Sequence, residues 1–305
     1  MIRQAVNMVE IEGILSEINL DYKSYTDKNT GKPVEAIGGD VKVRVRQVIN
    51  KGEEPTTLEI PVFMFAQKFK KDGTPNSSYA SIEDIKNNFT SINMAGGESG
   101  ADGIRFSSKY CSLEMNEFYN KKGVLASYPR IKASFAAKVE RDKVKEKANF
   151  TVELMVSDMS REIVNDEETG RLVVVGSVPQ YGGKIDVIKF IAANEGVISG
   201  IEQMWSEADT VKASGKLNFT SRTETYIPEV ALGEAEEQTR TISVSELIVT
   251  GGTEPYDQNA FDLEDVRKGL AERKARLEAQ KEKDMAGAKT AKTPAKGINK
   301  EDLGF

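Results

Sequence analysis

The absence of histidine and the near absence of cysteine exclude most enzyme chemistries for this sequence. Its 305 residues contain no His and a single Cys, Cys111. Without His, a Ser–His or Cys–His nucleophile, a His general base and a His-ligated metal site are excluded. One cysteine excludes an intramolecular disulfide and a thiolate metal cluster. We therefore predict a protein that is not an enzyme, with no catalytic residue, no metal and no cofactor.

Nucleotide-binding and hydrolase motifs are missing as well. The sequence contains neither G-x-G-x-x-G nor G-x-x-x-x-G-K-[ST], and Ser99 in the glycine-rich run 96–100 lacks the spacing of a nucleophile elbow. Asp166, Glu167 and Glu168 are adjacent in a turn, where carboxylates point in different directions. A nuclease that holds its metal with carboxylates alone is the one enzymatic alternative that this composition leaves open.

Long apolar runs are also lacking. No window approaches the roughly 20 apolar residues of a membrane span, and the first residues have neither the apolar core nor the charge of a signal peptide. We expect no membrane association and a cytoplasmic location, or the host cytoplasm if the protein is viral. The 39% hydrophobic and 7% aromatic content is typical of a folded chain.

Short strands separated by turns are predicted up to about residue 250. Residues 9–16, 41–46 and 58–65 alternate apolar and polar side chains, which is the period of a β-strand. With one short helix in each half, this pattern favours a mainly β protein of two tandem OB-like β-barrels. We place a mildly basic barrel at 1–150, an acidic barrel at 151–258, and a charged helix, flexible tail and C-terminal tip at 259–305.

Glycine spacing suggests that the two halves arose by duplication. A predicted turn at Gly31 and the pair Gly38-Gly39 recur as a turn at Gly170 and the pair Gly182-Gly183. Residues 87–102, rich in Gly, Ser and Ala, are predicted to form a flexible loop.

A charged helix is predicted after residue 261. Asp262 is a suitable N-cap, and the helix is predicted to extend to about Lys283. Its narrow apolar stripe consists of Leu263, Val266, Leu270 and Leu277. The stripe fits either docking on the same chain or binding of a partner. Residues 286–296 are mostly Ala, Gly, Lys, Thr and Pro, and are predicted to be a mobile linker.

Basic and aromatic residues mark a candidate binding surface. In the strand 41–46, one face carries Lys42, Arg44 and Arg46, which fits either a phosphate backbone or a charge-protected edge strand. Further along, cations and rings are interleaved, as in proteins that hold single-stranded nucleic acid, although many such rings belong to the core. These residues are Phe63, Phe65, Lys68, Phe69, Lys70, Lys71, Tyr110, Tyr119, Lys121, Lys122, Tyr128, Arg130 and Lys132.

The net charge of −6 is an average over unlike segments. Residues 1–150 carry +3, residues 151–260 carry −11 and residues 261–305 carry +2. We therefore assign nucleic-acid binding to the first barrel and predict that the second binds protein, extends the site weakly or repels DNA.

The last residues, Glu301, Asp302, Leu303, Gly304 and Phe305, follow the linker as a short acidic tip with a terminal aromatic ring. This arrangement resembles the single-stranded DNA-binding protein family, in which such a tip docks replication and repair partners. This sequence departs from the bacterial pattern of that family, because the tip has only two acids and no penultimate proline and because two barrels are predicted in one chain. These departures suggest a phage- or virus-type member.

The resemblance implies a non-catalytic protein that coats single-stranded DNA with little sequence preference. It also implies that the tip recruits replication and recombination proteins. The alternative from another class is a β-rich structural or assembly protein, such as a virion or tail component, without nucleic-acid binding. An RNA-binding OB protein would present the same sequence features.

Overall fold

The computed structural model describes residues 2–27, 30–50, 52–120, 122–164, 166–226 and 238–290. The described residues are mainly β, which confirms the predicted class. Among them, no helix has the length and apolar character needed to cross a bilayer. The strands and helices are β1 (Asn7–Thr26), β2 (Pro33–Gln47), β3 (Thr56–Gln67), α1 (Ser77–Asn88), α2 (Ile92–Ala95), β4 (Gly103–Phe106), β5 (Cys111–Tyr119), β6 (Leu125–Ala133), β7 (Ala137–Val139), β8 (Lys147–Val164), β9 (Glu167–Pro179), β10 (Ile185–Ala192), α3 (Glu195–Met204), β11 (Thr210–Tyr226), β12 (Gln238–Gly252) and α4 (Leu263–Thr290).

Alternation along β2 confirms the strand predicted at 41–46. Val41, Val43 and Val45 are fully buried, whereas Lys42 and Arg44 lie on the opposite face. Successive side chains of a strand point to opposite faces, so the valines enter the core and the cations stay on the surface.

In the second half, strand pairing forms a closed ring. β8 pairs with β9, β9 with β10, β10 in parallel with β12, β12 with β11, and β11 again with β8. Helix α3 lies between β10 and β11 in the chain. A ring of this kind leaves few unpaired strand edges.

The first half has the same order of strand pairing, but each of its last two strands is divided into two, β4 with β5 and β6 with β7. β1, β2 and β3 pair in sequence, β3 pairs in parallel with β6, and β6 pairs with β5. Strand β4, just before β5, pairs with β7, just after β6, and so extends this hairpin. β4 also pairs with β1. Helix α1 follows β3, as α3 follows β10. The two halves therefore share an order of three strands, a helix and a hairpin.

The glycine correspondence that suggested the duplication is wrong. Gly38 and Gly39 lie inside β2, whereas Gly182 and Gly183 lie between β9 and β10. Gly170 lies within β9, beside an irregularity in its pairing with β8, and the turn before β9 contains Asp166 with a φ of 64°. The repeat lies in the order of elements and not in these glycines.

Strands β1 and β8 join the two halves. Residues 7–12 of β1 pair with residues 147–152 of β8, and one cluster of buried apolar side chains contains residues of both halves. The predicted domain limits at 150 and 258 stay a prediction.

Residues 87–102 form a segment that is packed at both ends and contains the one-turn helix α2, whereas most residues of 93–100 are exposed, so its flexibility stays a prediction. Phe89 and Ser91 are buried, and the Ser91 hydroxyl caps α2. Asp102 accepts a hydrogen bond from the Thr90 N–H (2.7 Å). The sequence did not indicate α2 because a helix of one turn has no apolar period of its own.

Helix α4 begins as predicted and docks on its own chain. The Asp262 carboxylate accepts a hydrogen bond from the Asp265 N–H (2.9 Å), and Val266 and Leu277 are buried. A Cβ on Gly269 would lie 2.4 Å from Ile185 Cγ1, so glycine allows α4 to approach β10 closely. The helix continues to Thr290, so the predicted linker is helical at 286–290. Residues 291–296 lie outside the described part of the chain.

Glu153 of β8 connects the N-terminal segment with the segment that follows β12. Its carboxylate accepts hydrogen bonds from Arg3 Nη1 (2.7 Å), the Val6 N–H (2.9 Å) and the Tyr256 hydroxyl (2.9 Å). Burial favours a higher pKa for Glu153, but these three donors outweigh burial and hold its pKa below the ordinary value.

We expect Glu153→Gln to remove part of the pH dependence of stability. Because the pKa of Glu153 is lower in the folded chain, the carboxylate stabilises the fold above about pH 4.5, and this contribution disappears as the pH falls through the folded value. Urea unfolding from pH 7 to pH 3 measures it. The variant is expected to be less stable by about 1–3 kcal/mol at pH 7, and the difference should shrink towards pH 3. A difference that does not change with pH would contradict this role.

Candidate nucleic-acid interface

The outward face of β1, β2, β3 and β6 holds several of the predicted site residues. Lys42 and Arg44 project from β2, Phe63 from β3, and Arg130 and Lys132 from β6. The register places Phe63 opposite Asp40 of β2 and Lys132 of β6. Three of these strands thus bring together predicted side chains that are up to 90 positions apart in the sequence.

This face is the floor of a continuous groove. Three adjoining cavities of about 400, 1040 and 520 Å³ follow one another across it. The first two share Pro61 and Phe219, and the last two share Met115, Asn116 and Arg130. We name the three cavities together the groove.

The second half of the chain supplies the opposite wall of the groove. Val187 and Lys189 of β10, Phe219 of β11 and Ser243 of β12 line the largest cavity, together with Arg273 of α4. The groove therefore lies between the two halves, and each half supplies only one side of it.

Aromatic rings line the floor. The Arg130 guanidinium lies over the Phe63 ring, with Cζ 4.3 Å from the ring centre, and we name these two side chains the Phe63–Arg130 pair. Tyr128, 44% exposed, meets Phe118 edge to face at 6.2 Å, and its hydroxyl accepts a hydrogen bond from Asn116 Nδ2 (2.5 Å). At the far end, Tyr110 packs on Phe135 at 4.8 Å. Tyr110 and Tyr128 are exposed and Phe63 is half-buried, and planar groups of this kind are suited to stacking with bases.

Most predicted cations of the groove are already bound to carboxylates. Lys42 forms an ion pair with Glu17 (2.5 Å), and Arg44 with Glu59 (2.6 Å) and Glu98 (3.2 Å). The hydrogen bond from Lys42 holds the pKa of Glu17 below its usual value, and that of Arg44 to Glu59 raises the pKa of Arg44. The cationic strand face is therefore largely neutralised.

The same holds for β6. Glu114 binds Arg130, and it also lies 3.6 Å from Lys132. Arg130 thus keeps its planar face for stacking while its charge is balanced. Sequence reasoning did not anticipate these carboxylates because they lie on neighbouring strands.

Two free cations come from the acidic half. Lys184 and Lys189 are exposed along the groove. Neither forms an ion pair with the residues that the structure describes. The sequence analysis assigned nucleic-acid binding to the first barrel, and no local pattern in the sequence points to Lys189.

Several predicted site residues lie away from the groove. Phe65, Phe69, Lys70 and Lys71 are exposed beyond it, and Lys68 forms an ion pair with Glu35 (2.6 Å). The remaining ones are Arg46 at the end of β2, Tyr119 beneath Lys281 of α4, and Lys122 in a turn. Lys121 and the tip residues Glu301, Asp302, Leu303, Gly304 and Phe305 lie outside the described residues.

Two other side chains are excluded from surface chemistry by burial. Cys111 is buried, and burial raises the pKa of its thiol to about 12, so it is not a nucleophile. Trp205 is buried as well, and its indole N–H donates to the Thr253 carbonyl (2.8 Å). In the described part of the chain, no three carboxylate or cysteine side chains are placed to hold a metal ion.

Helix α4 closes one end of the groove through a buried ion pair. The Glu117 side chain on β5 is 5% exposed and binds Arg273 of α4, which is 18% exposed. Arg276 lies 3.9 Å from the same carboxylate, and Gln280 Nε2 donates to the Glu117 carbonyl (3.2 Å). This contact positions α4 against the floor.

Comparisons with known proteins place the chain in a family and give distant structural likenesses. The family model of YorF matches residues 5–283. No curated protein matches the chain in sequence. A single-stranded DNA binding protein from Thermus aquaticus has a TM-score of 0.49 and 10% identity, over 83% of this chain and 95% of that chain.

A deletion mutant of the Thermus aquaticus protein has a TM-score of 0.48 and 13% identity, over 84% of this chain and 97% of that chain. A replication protein A heterotrimer bound to single-stranded DNA has a TM-score of 0.20 and 8% identity, over 88% of this chain and 69% of that chain. These scores are too low to carry an inference about function, which must come from the groove.

We expect Glu117→Ala to undock α4. The change leaves Arg273 with no anionic partner in a poorly hydrated site, and the free energy of unfolding should fall by about 3 kcal/mol. Trypsin should then cut within α4 before the rest of the chain. The control is Glu264→Ala, which removes an exposed ion pair with Arg267 and should change little. Equal effects of the two changes would contradict the role of Glu117.

Proposed function

This chain belongs to the YorF family, and we propose that it is a non-catalytic protein that binds single-stranded DNA along the groove. The observation that carries the proposal is the floor of the groove, where the planar side chains of Phe63, Tyr128 and Arg130 lie together on the neighbouring strands β3 and β6. These three side chains offer faces to bases, and Lys189 of the opposite wall, which forms no ion pair with the described residues, offers a donor to phosphates.

The strand order supports the proposal. We infer two OB-like barrels, because each half has three strands, a helix and a hairpin, and in the second half the pairing closes on itself. OB folds bind oligonucleotides on the face of their second and third strands. In the first half that face is the groove floor formed by β2 and β3.

The balance of forces favours stacking over phosphate attraction. A base stacked on an aromatic ring contributes about 1–3 kcal/mol, whatever its identity. The paired cations attract phosphates weakly because carboxylates within 4 Å cancel most of their charge. A single strand can turn its bases towards the rings, whereas a duplex keeps them stacked and paired.

Wider roles in the cell form part of the same proposal. The protein would coat single strands during replication or recombination, and residues 301–305 would recruit partner proteins. These roles rest on the sequence of the tip, on its terminal Phe305 and on the two acids before it.

We expect a fluorescein-labelled dT oligonucleotide to bind, with anisotropy as the measurement. Trp205 is buried, so its fluorescence is a poor reporter of stacking. Affinity should fall between about 50 and about 200 mM salt with a shallow slope, near −0.7 for each phosphate held by a free lysine. Unlabelled duplex should compete poorly. Absence of binding at low salt, with large assemblies by light scattering, would instead favour a structural or assembly protein.

Two pairs of variants separate stacking from charge. Phe63→Ala should weaken binding about tenfold with an unchanged salt slope, since one stacking platform is lost. Lys189→Gln should reduce the slope by about 0.7, since one phosphate contact is lost.

The matched controls are Phe69→Ala and Lys70→Gln. Both residues are exposed and lie outside the groove, so affinity and slope should stay at the wild-type values. If the control variants weaken binding more than the groove variants, the DNA follows the surface after β3 and the groove is not the site.

A further inference from the structure

Asp40 is a carboxylate of the groove whose partner is missing. Glu17, Glu59, Glu114 and Glu117 each bind a cation. Asp40 is exposed, and its carboxylate forms no ion pair and no hydrogen bond with the residues that the structure describes. Its side chain lines the largest cavity, on the outward face of β2.

The position of Asp40 puts it beside the stacking platform. It lies directly opposite Phe63 of β3 and opposite Asn19 of β1. Side chains that face each other across neighbouring strands have Cβ atoms about 5 Å apart. A base that stacks on the Phe63–Arg130 pair therefore has one edge within reach of the Asp40 carboxylate.

Among the described residues, no cation forms an ion pair that would neutralise the Asp40 carboxylate. Burial raises its pKa, and the nearby charges of Arg130, Lys23 and Lys42 oppose that rise. Arg130 and Lys42 are already bound to Glu114 and Glu17. A carboxylate left free at this place repels phosphates, so it weakens DNA binding unless it accepts a hydrogen bond from the ligand.

The chemistry of DNA restricts which group can donate that bond. An ionised carboxylate only accepts hydrogen bonds. Within a DNA strand, the phosphates and deoxyribose rings have no donors, so the donor has to be a base edge. Guanine presents two adjacent donors, N1–H and N2–H, which match the two carboxylate oxygens. Thymine presents one donor, N3–H, between two carbonyl oxygens that repel a carboxylate.

We propose that Asp40 is a specificity-determining residue, which accepts N1–H and N2–H of one guanine stacked on the Phe63–Arg130 pair and makes the groove prefer guanine to thymine at that position. The proposal rests on the proposed binding of single-stranded DNA in the groove. It departs from the expectation of little sequence preference, because one position of an otherwise tolerant site becomes selective.

The test compares three oligonucleotides of equal length by anisotropy. One is dT, one repeats T-T-G, and one repeats T-T-I, where inosine lacks the N2 amino group of guanine. Wild type should bind the T-T-G strand about tenfold more tightly than dT, since a good bidentate contact discriminates by about that factor. The inosine strand should lie between the two.

Asp40→Asn should abolish the preference for T-T-G while leaving dT binding unchanged or tighter. The control is Asp21→Asn, which makes the same change of charge on β1 at a highly exposed residue outside the groove, and which should keep the preference. Circular dichroism verifies that both variants fold.

Three outcomes would count against the inference, and they differ from one another. Equal binding of T-T-G and dT by the wild type overturns the role of Asp40 while single-stranded binding stands. A preference that survives in Asp40→Asn shows that another residue selects the base. Absence of binding to all three strands overturns the proposed function itself.

Discussion

The pairing of β1 with β8 is the contact on which the rest of the molecule depends. Six residues of each strand join the two halves into one sheet, so the halves cannot turn independently. This pairing brings β10, β11 and β12 against the outward face of β2 and β3, and the groove exists only in that arrangement. Glu153, on β8 itself, binds Arg3 and Val6 of the N-terminal segment and Tyr256 of the segment after β12.

Ion pairs on the floor weaken the electrostatic attraction of the groove for phosphates. A polyanion is usually held by free cations, yet here most cations of the floor are bound to carboxylates of neighbouring strands. Such pairs hold the side chains in place, and they lower the electrostatic attraction for phosphates. In the binding that we propose, the planar faces of Phe63, Tyr128 and Arg130 are the main source of affinity, and a net charge of −6 is compatible with it.

Local pattern predicted part of the fold and part of the site. The valines of β2, the cap of α4 at Asp262 and the docked stripe of that helix follow from period and capping chemistry, which act over a few residues. Helix α1 was not located in the sequence because its apolar pattern is weak, and α2 was not located because one turn has no apolar period. The glycine repeat failed because identical residues serve different roles in strands and turns.

The sequence by itself determined that the alternating segments at 9–16, 41–46 and 58–65 form strands, that the valines of 41–46 are on the buried face, and that catalysis by histidine or paired cysteines is excluded. Tertiary structure alone decided which cations are free. Glu59 and Glu114 lie 15 and 16 positions from the arginines that they bind, and Lys189 reaches the groove from the other half. The reason is physical: side-chain charge acts through space, and only the paired strands determine which charges become neighbours.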